Sequence, residues 1–280
     1  MVAGAAGAGA SDGGTGAGPT DADRRGSAEA GSFDAAADNY RLGRPDYPDR
    51  VYELLRAHGL GPDSRILEVG AGTGQATRVL LAHGATVTAV EPGHSLTALL
   101  RADLAGPRLR VIEDAFEHAD VTDGAFDLAV CATAFHWLDR AVAVPKFARA
   151  LRPGGTLAVW WTVYGDPGRP TAFRAALDAL YEQHLPGARV PTEGTPRALR
   201  IDERVAELTA TGEFGDVAVE VIRWEHRLTA VGARRLFGTF PNIRGMAEGA
   251  RAEFLDAIAG LVDGEVSDPY STVVYLARRV

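Results

Sequence analysis

Lysine is almost missing from this 280-residue chain: Lys146 stands alone among 29 Lys and Arg residues. That excludes a phosphate-cradling loop of the GxxxxGK[ST] type, and it leaves Schiff-base chemistry a single residue to use. Cysteine is as scarce. Cys131 has no partner for an intrachain disulfide, and one thiol argues against a structural zinc site. A cytoplasmic setting fits that usage. Long apolar runs are absent, and nothing approaches the ~20 residues of a membrane span. Positive charge is in deficit, with a formal net charge of −8 spread without long acidic runs. A nucleic-acid partner needs a basic face to neutralise phosphate, so none is expected. The opening stretch MVAGAAGAGASDGGTGAGPT lacks bulky side chains, and residues 1–30 read as a disordered tail. It has neither the basic start nor the large apolar run of a secretory signal.

About 250 residues remain, compatible with one α/β domain carrying insertions. Short apolar runs alternate with helix-like segments: RILEV then GQATRVLLAHG, ATVTAV then GHSLTALLRADLA, RLRVI, FDLAVCA, VPKFARALRPGG, and TLAVWWT. That rhythm predicts a mostly parallel sheet with helices on both faces. Upstream, Val51, Leu54, Leu55 and His58 fall at helical spacing. After Thr162 the pattern changes. TAFRAALDALYEQH places Phe173, Ala176, Leu177, Leu180, Tyr181 and His184 on one helical face. VAVEVIRWEHRLT and STVVYLARRV read as two strands that pair at the sheet edge and enclose helical material from about 230 to 263. The domain is therefore expected over residues 31–280. Its core covers about 50–165, 215–230 and 270–280, and a helical cap covers about 31–49, 166–214 and 231–265. The cap lies over the carboxyl ends of the strands, where ligands bind in such folds. The helix from Thr171 and GTFPNIRGM are read as a lid that excludes water.

The stretch ILEVGAGTGQAT carries the chemistry. Gly70, Gly72 and Gly74 follow an apolar strand, which suits a nucleotide resting on the turn. A dinucleotide site asks for G-x-G-x-x-G or A, yet Gln75 falls off that pattern and Glu68 stands two residues before the first glycine. A carboxylate there repels a pyrophosphate and suits a ligand with positive charge. Glu91 ends the next strand, 17 residues after Gly74, where a carboxylate can accept from both hydroxyls of a ribose. Asp114 ends the third run, placed to accept an adenine's exocyclic amine with Phe116 packing on the ring.

In order, EVGAGTG, VEP, EDA, FHWLD and LRPGG resemble the class I S-adenosylmethionine-dependent methyltransferases. FDAAADNYRLGRPDYP and FHWLD are similar to a small-molecule branch of that superfamily, the methyltransferase type 11-like one. The likeness covers about residues 33 to 165 and runs more loosely to a final strand at TVVYLARR. It implies a Rossmann-like sheet, mostly parallel with an antiparallel edge strand, and S-adenosyl-L-methionine as cofactor. By position it implies that Gly70, Gly72 and Gly74 let the backbone approach the methionyl and ribose parts. Glu68 would orient that loop or the amino group, Glu91 the ribose, and Asp114 with Ala115 the adenine. Ala132 would lie near the sulfonium. Tyr40 and Arg44 would close over the cofactor, the arginine facing its carboxylate. Cys131 stands where sulfur is unusual, which puts none of these roles in doubt.

His136, at the carboxyl edge of the sheet, is the candidate to take a proton from the acceptor; its alternative is a packed, hydrogen-bonded residue under the lid. Phe135 and Trp137 are either pocket walls or core. The expected partner is a small molecule with an O, N or C nucleophile. Two other classes remain open: a nicotinamide oxidoreductase on a similar sheet, and a binding protein or cyclase that keeps the nucleoside pocket without transferring methyl.

Overall fold

The computed structural model describes residues 42–186 and 195–280. The 1–30 tail and Tyr40 lie outside the described residues. Helix α1 (Asp49–Ala57) leads into strand β1 (Arg65–Val69), and then helix and strand alternate: α2 (Gln75–Ala82), β2 (Thr86–Val90), α3 (His94–Leu104), β3 (Leu109–Ile112) and β4 (Phe126–Ala132). Helix α4 (Arg140–Ala150) follows, then the long strand β5 (Leu151–Tyr164). The rest comprises α5 (Ala172–His184), α6 (Ile201–Thr209), β6 (Phe214–Thr229), α7 (Ala230–Phe237), α8 (Pro241–Arg244), α9 (Glu248–Gly260) and β7 (Glu265–Arg279).

The strands form one seven-stranded sheet in the order β3-β2-β1-β4-β5-β7-β6. The first five are parallel, and β7 runs antiparallel between β5 and β6, so the edge pairing read from the sequence is present. The central strands are buried on both faces, as β1 shows after its first residue, which is why they read as continuous apolar runs rather than alternating ones. Alternation splits their side chains between two cores. Leu67, Val69, Ala129, Cys131 and Val159 point to one face; Ile66, Leu128, Val130, Ala158 and Trp160 point to the other, under α1 and α2. Edge strand β6 instead exposes Asp216, Arg223 and Glu225, and such charge discourages edge-to-edge association.

The cap has a core of its own. Strands β6 and β7 run past the end of β5: Tyr164 pairs with Tyr270, while Thr229 reaches Glu265. Phe173, Leu177 and Tyr181 of α5 pack there with Phe237, Ile243, Phe254 and Tyr270. The expected face of α5 is therefore the one it buries, and GTFPNIRGM is anchored through Ile243, which is fully buried. Strand β7 begins at Glu265, ahead of the core limit of about 270 drawn from sequence, because Asp268-Pro269 looks like a break; β6 keeps within a residue of its expected limits. Pro269 lies beyond the last β5 partner and pairs only with Glu225 of β6, so its missing N–H costs no ladder bond on the open side. AFEHAD, which follows β3, forms a turn at 116–118. Among the described residues, no helix is long and apolar enough to cross a membrane.

Candidate active site

The glycine turn stands at the carboxyl end of β1. Gly70 has φ +72°, and a Cβ there would lie 2.3 Å from Ala134 Cβ on the loop after β4. Only glycine permits both the left-handed backbone and that approach. Its N–H donates to Val90 O at 2.8 Å, which holds the turn against β2. Two residues on, the Gly72 N–H donates to Glu91 Oε2 at 2.9 Å, and the Gly93 N–H donates to Glu91 Oε1 at 3.0 Å. Glu91 thus ties together the two loops that follow β1 and β2. It is 6% exposed. The same bond opposes a dinucleotide: the amide a pyrophosphate needs is already spent on a carboxylate.

Beneath the turn, Glu68 is fully buried. Thr77 Oγ1 donates to its Oε2 at 2.7 Å, while Oε1 has no hydrogen-bond partner. Burial, the largest influence, raises this carboxyl from 4.5 to about 8; nearby Glu91 adds to the rise and Thr77 opposes it. Glu68, Gly70, Gly72 and Ala132 line one cleft with Tyr47 and Gln75, enclosing about 250 Å³ of empty space that includes open solvent. An orphaned acidic oxygen and a backbone turn with open space at Gly72 fit a cationic nucleoside.

Tyr47 was missed by sequence reasoning, although it stands in the same RPDYP stretch as Arg44. Its hydroxyl lies 3.1 Å from Thr133 Oγ1, and its ring meets Trp160 edge-on at 5.5 Å. Thr133 has φ +56°, a strained conformation for a β-branched residue that costs of order 1–3 kcal/mol and recurs at functional sites.

Three of the assigned side chains have close neighbours within the fold. Phe116 is 2% exposed and its ring lies 4.4 Å from that of Phe147, so it belongs to the core rather than to an adenine pocket. Arg44 sits 5.0 Å from the Tyr164 ring and 4.8 Å from the Phe240 ring, between the end of β5 and the cap. His136 receives the Trp161 indole N–H on Nδ1 at 3.1 Å. A neutral imidazole that accepts at Nδ1 carries its proton on Nε2, so its one lone pair is already used. Burial first, then Arg197 and Arg140, lowers its pKa to about 4. His136 is therefore built as a hydrogen-bond donor, not as a general base.

Asp114 is exposed at the end of β3 and accepts the Ala115 N–H at 2.8 Å, leaving its second oxygen outward. Lys146 donates to the carbonyls of Glu117 at 3.2 Å and Ala119 at 2.6 Å, so the single lysine ties this turn to α4. Cys131 is fully buried and burial pushes its thiol well above the usual range, which removes it as a nucleophile.

Residues 67–159 match a family model described as a methyltransferase domain. An uncharacterised methyltransferase of Mycobacterium bovis is 38% identical over 130 residues, 46% of this chain and 51% of that protein. A malonyl-[acyl-carrier protein] O-methyltransferase of Geobacter sulfurreducens is 35% identical over 184 residues, 62% of each chain. The chain thus spans about half the length of the first curated relatives it matches. A solved chain described as a type II methyltransferase, from Anaeromyxobacter dehalogenans, shares the fold with a TM-score of 0.58 at 21% identity, covering 84% of this chain and 97% of that one. The matched span begins inside β1 and ends inside β5, and it takes in the turn, Glu91, Asp114 and His136, so the likeness to a methyltransferase domain lies in the α/β core.

Proposed function

We propose that the chain transfers a methyl group from S-adenosylmethionine to an O, N or C nucleophile of a small molecule. The observation that carries the reading is Glu91, a nearly buried carboxylate that gathers the amides of Gly72 and Gly93 and so puts negative charge where a dinucleotide would put phosphate. Glu68 and Glu91 would hold the cofactor from below and beside, and Asp114 with the Ala115 amide would meet its base. When bound, the cofactor supplies a methyl carbon activated by a sulfonium. The chain's own task is to hold an acceptor in line and keep water out, and alignment alone contributes ~7–11 kcal/mol in favourable cases. Ala132 and Thr133 at the end of β4 form the floor on which the acceptor is aligned. The Nε2–H of His136 offers it a hydrogen bond. No strong base is required for an acceptor that loses its proton readily.

The test is a calorimetric titration with S-adenosylhomocysteine. The wild-type chain should bind it and be stabilised by it against heat, with no matching effect of NAD or NADP. Glu91→Ala should weaken that binding by roughly tenfold or more, since hydrogen bonds to a charged group contribute ~1.5–3 kcal/mol. Unchanged affinity in the variant discards the role given to Glu91. Labelled methyl appearing in a candidate acceptor then separates an enzyme from a protein that only binds the nucleoside.

A further inference from the structure

Three arginines from separate segments meet beside the loop that follows β4. Arg140 opens α4, Arg197 lies in a single 3-10 turn before α6, and Arg204 belongs to α6. All three turn to one atom. Glu207 Oε1 lies 3.3 Å from Arg140 Nε, 3.3 Å from Arg197 Nη2 and 2.9 Å from Arg204 Nη2. One carboxylate cannot neutralise three guanidiniums. Glu203, at 3.1 Å from Arg204, adds a side chain that is 56% exposed and screened by water.

The donors are correspondingly underused. Arg204 is 4% exposed, yet its Nε and Nη1 have no hydrogen-bond partner among the described residues. Arg140 Nε approaches Glu207 without the alignment of a hydrogen bond and is also buried. Burial and the two neighbouring guanidiniums, Arg204 and Arg140, lower the Arg197 pKa. Buried charged donors left unpaired are expensive, and native proteins normally satisfy them. The missing partner is an oxygen-rich anion, for which a planar guanidinium fork is the preferred receptor.

The cluster adjoins the reacting end of the fold. Arg197 and Arg140 are the two charges that act on His136. His136 lies on the loop whose Ala134 abuts Gly70. We propose that Arg140, Arg197 and Arg204 form an oxyanion subsite that receives a carboxylate or phosphate group of the acceptor, making the substrate an acidic small molecule. The word acceptor rests on the methyl-transfer reading; the oxyanion subsite does not.

The experiment uses the full chain, with and without S-adenosylhomocysteine. Inorganic phosphate and malonate are titrated separately, with sodium chloride as the control at matched ionic strength. The readout is the NMR resonance of the Trp161 indole N–H, which reports on His136. A saturable shift with phosphate, malonate or both, absent with chloride, is expected. Saturation by phosphate alone assigns a phosphorylated acceptor, and by malonate alone a carboxylic acid. Arg140→Gln and Arg197→Gln, both partly exposed, should each weaken the response by roughly tenfold or more while leaving S-adenosylhomocysteine affinity intact. A shift no larger than that with chloride, or one unchanged in both variants, overturns the subsite. If the anion binds but S-adenosylhomocysteine does not, the subsite stands and the methyl-transfer reading falls.

Discussion

The cleft at the end of β1 and the cap above it are held together in different ways, and the difference tells where specificity resides. At the cleft, backbone does most of the work. The amides of Gly70, Gly72 and Gly93 bind Val90 and Glu91 within two adjacent loops. In the cap, side chains far apart in sequence do it: Arg174 of α5 makes a two-pronged contact with Asp268 of β7, with Nε to Oδ1 at 2.8 Å. Asp268 is fully buried, and the guanidinium sits about 6 Å from the rings of Phe173, Phe237 and Tyr270. A cofactor common to many enzymes needs only the first kind of site, fixed by strand order. An acceptor peculiar to one enzyme calls for the second, which tolerates change without disturbing the sheet.

Removing one partner of the buried pair should break the comparison most visibly. Arg174→Met leaves Asp268 charged and alone, a loss of ~3–5 kcal/mol. Because the cap has its own apolar cluster, the damage should be confined there. Hydrogen exchange should accelerate in α5, α7 and α9 while β1, β2 and β4 stay protected, and S-adenosylhomocysteine should still bind. Uniform loss of protection would mean that cap and sheet unfold as one unit.

A smaller effect on stability, but a larger one on binding, is expected from Gly70→Ala. The new methyl must clear Ala134 Cβ, 2.3 Å away, in a backbone conformation that alanine disfavours by roughly 1–2 kcal/mol. The turn and the 133–137 loop should separate, shifting Glu91 and Thr133 together. Cofactor affinity should then fall more than the melting temperature suggests, as read by calorimetry beside thermal unfolding. Parallel losses in both would reduce the turn to a packing element.

The same contrast explains what the sequence disclosed. Elements of the sheet were legible because each strand is a local apolar run and each catalytic-edge residue sits at the end of one. Glu68, Glu91 and Asp114 needed only a count from the strand before them. The neighbours of Arg44 and Phe116 were not legible, because the side of a loop from which a side chain emerges is a tertiary property: Arg44 lies against the rings of Tyr164 and Phe240, 120 and 196 residues away. His136 was placed on its loop with two readings open, proton acceptor or packed hydrogen-bonding residue, and only the contact with Trp161, 25 residues on, bears on the choice. No local pattern announced Arg140, Arg197 and Arg204 as neighbours. They meet because α6 and α4 pack on one face of the sheet, where Leu208 and Phe147 share a core.

The smallest expected effect is the most diagnostic of the cleft's charge. Glu68 holds its proton up to about 8 in the folded chain against an ordinary 4.5. Between those values the folded chain binds more protons than the unfolded one, so this residue makes stability fall as pH rises through the window. His136 acts oppositely at lower pH: it stays neutral down to about 4 against an ordinary 6.5, so its contribution rises with pH between them. Glu68→Gln should remove the decline near neutrality and leave the acid limb in place. Among the described residues Glu91, Tyr52 and Cys131 are the ionisable groups that act on Glu68, and none offers it a positive charge. The α-ammonium group of a ligand arriving at the cleft would supply that charge and expel the proton. Binding of S-adenosylhomocysteine at pH 7 should therefore release a proton, seen as a heat that differs between Bis-Tris and Tris buffers in proportion to their ionisation enthalpies. The difference should vanish in Glu68→Gln. Equal heats for the wild-type chain in both buffers would mean that Glu68 does not change its protonation on binding, and that the ligand's positive group is met elsewhere.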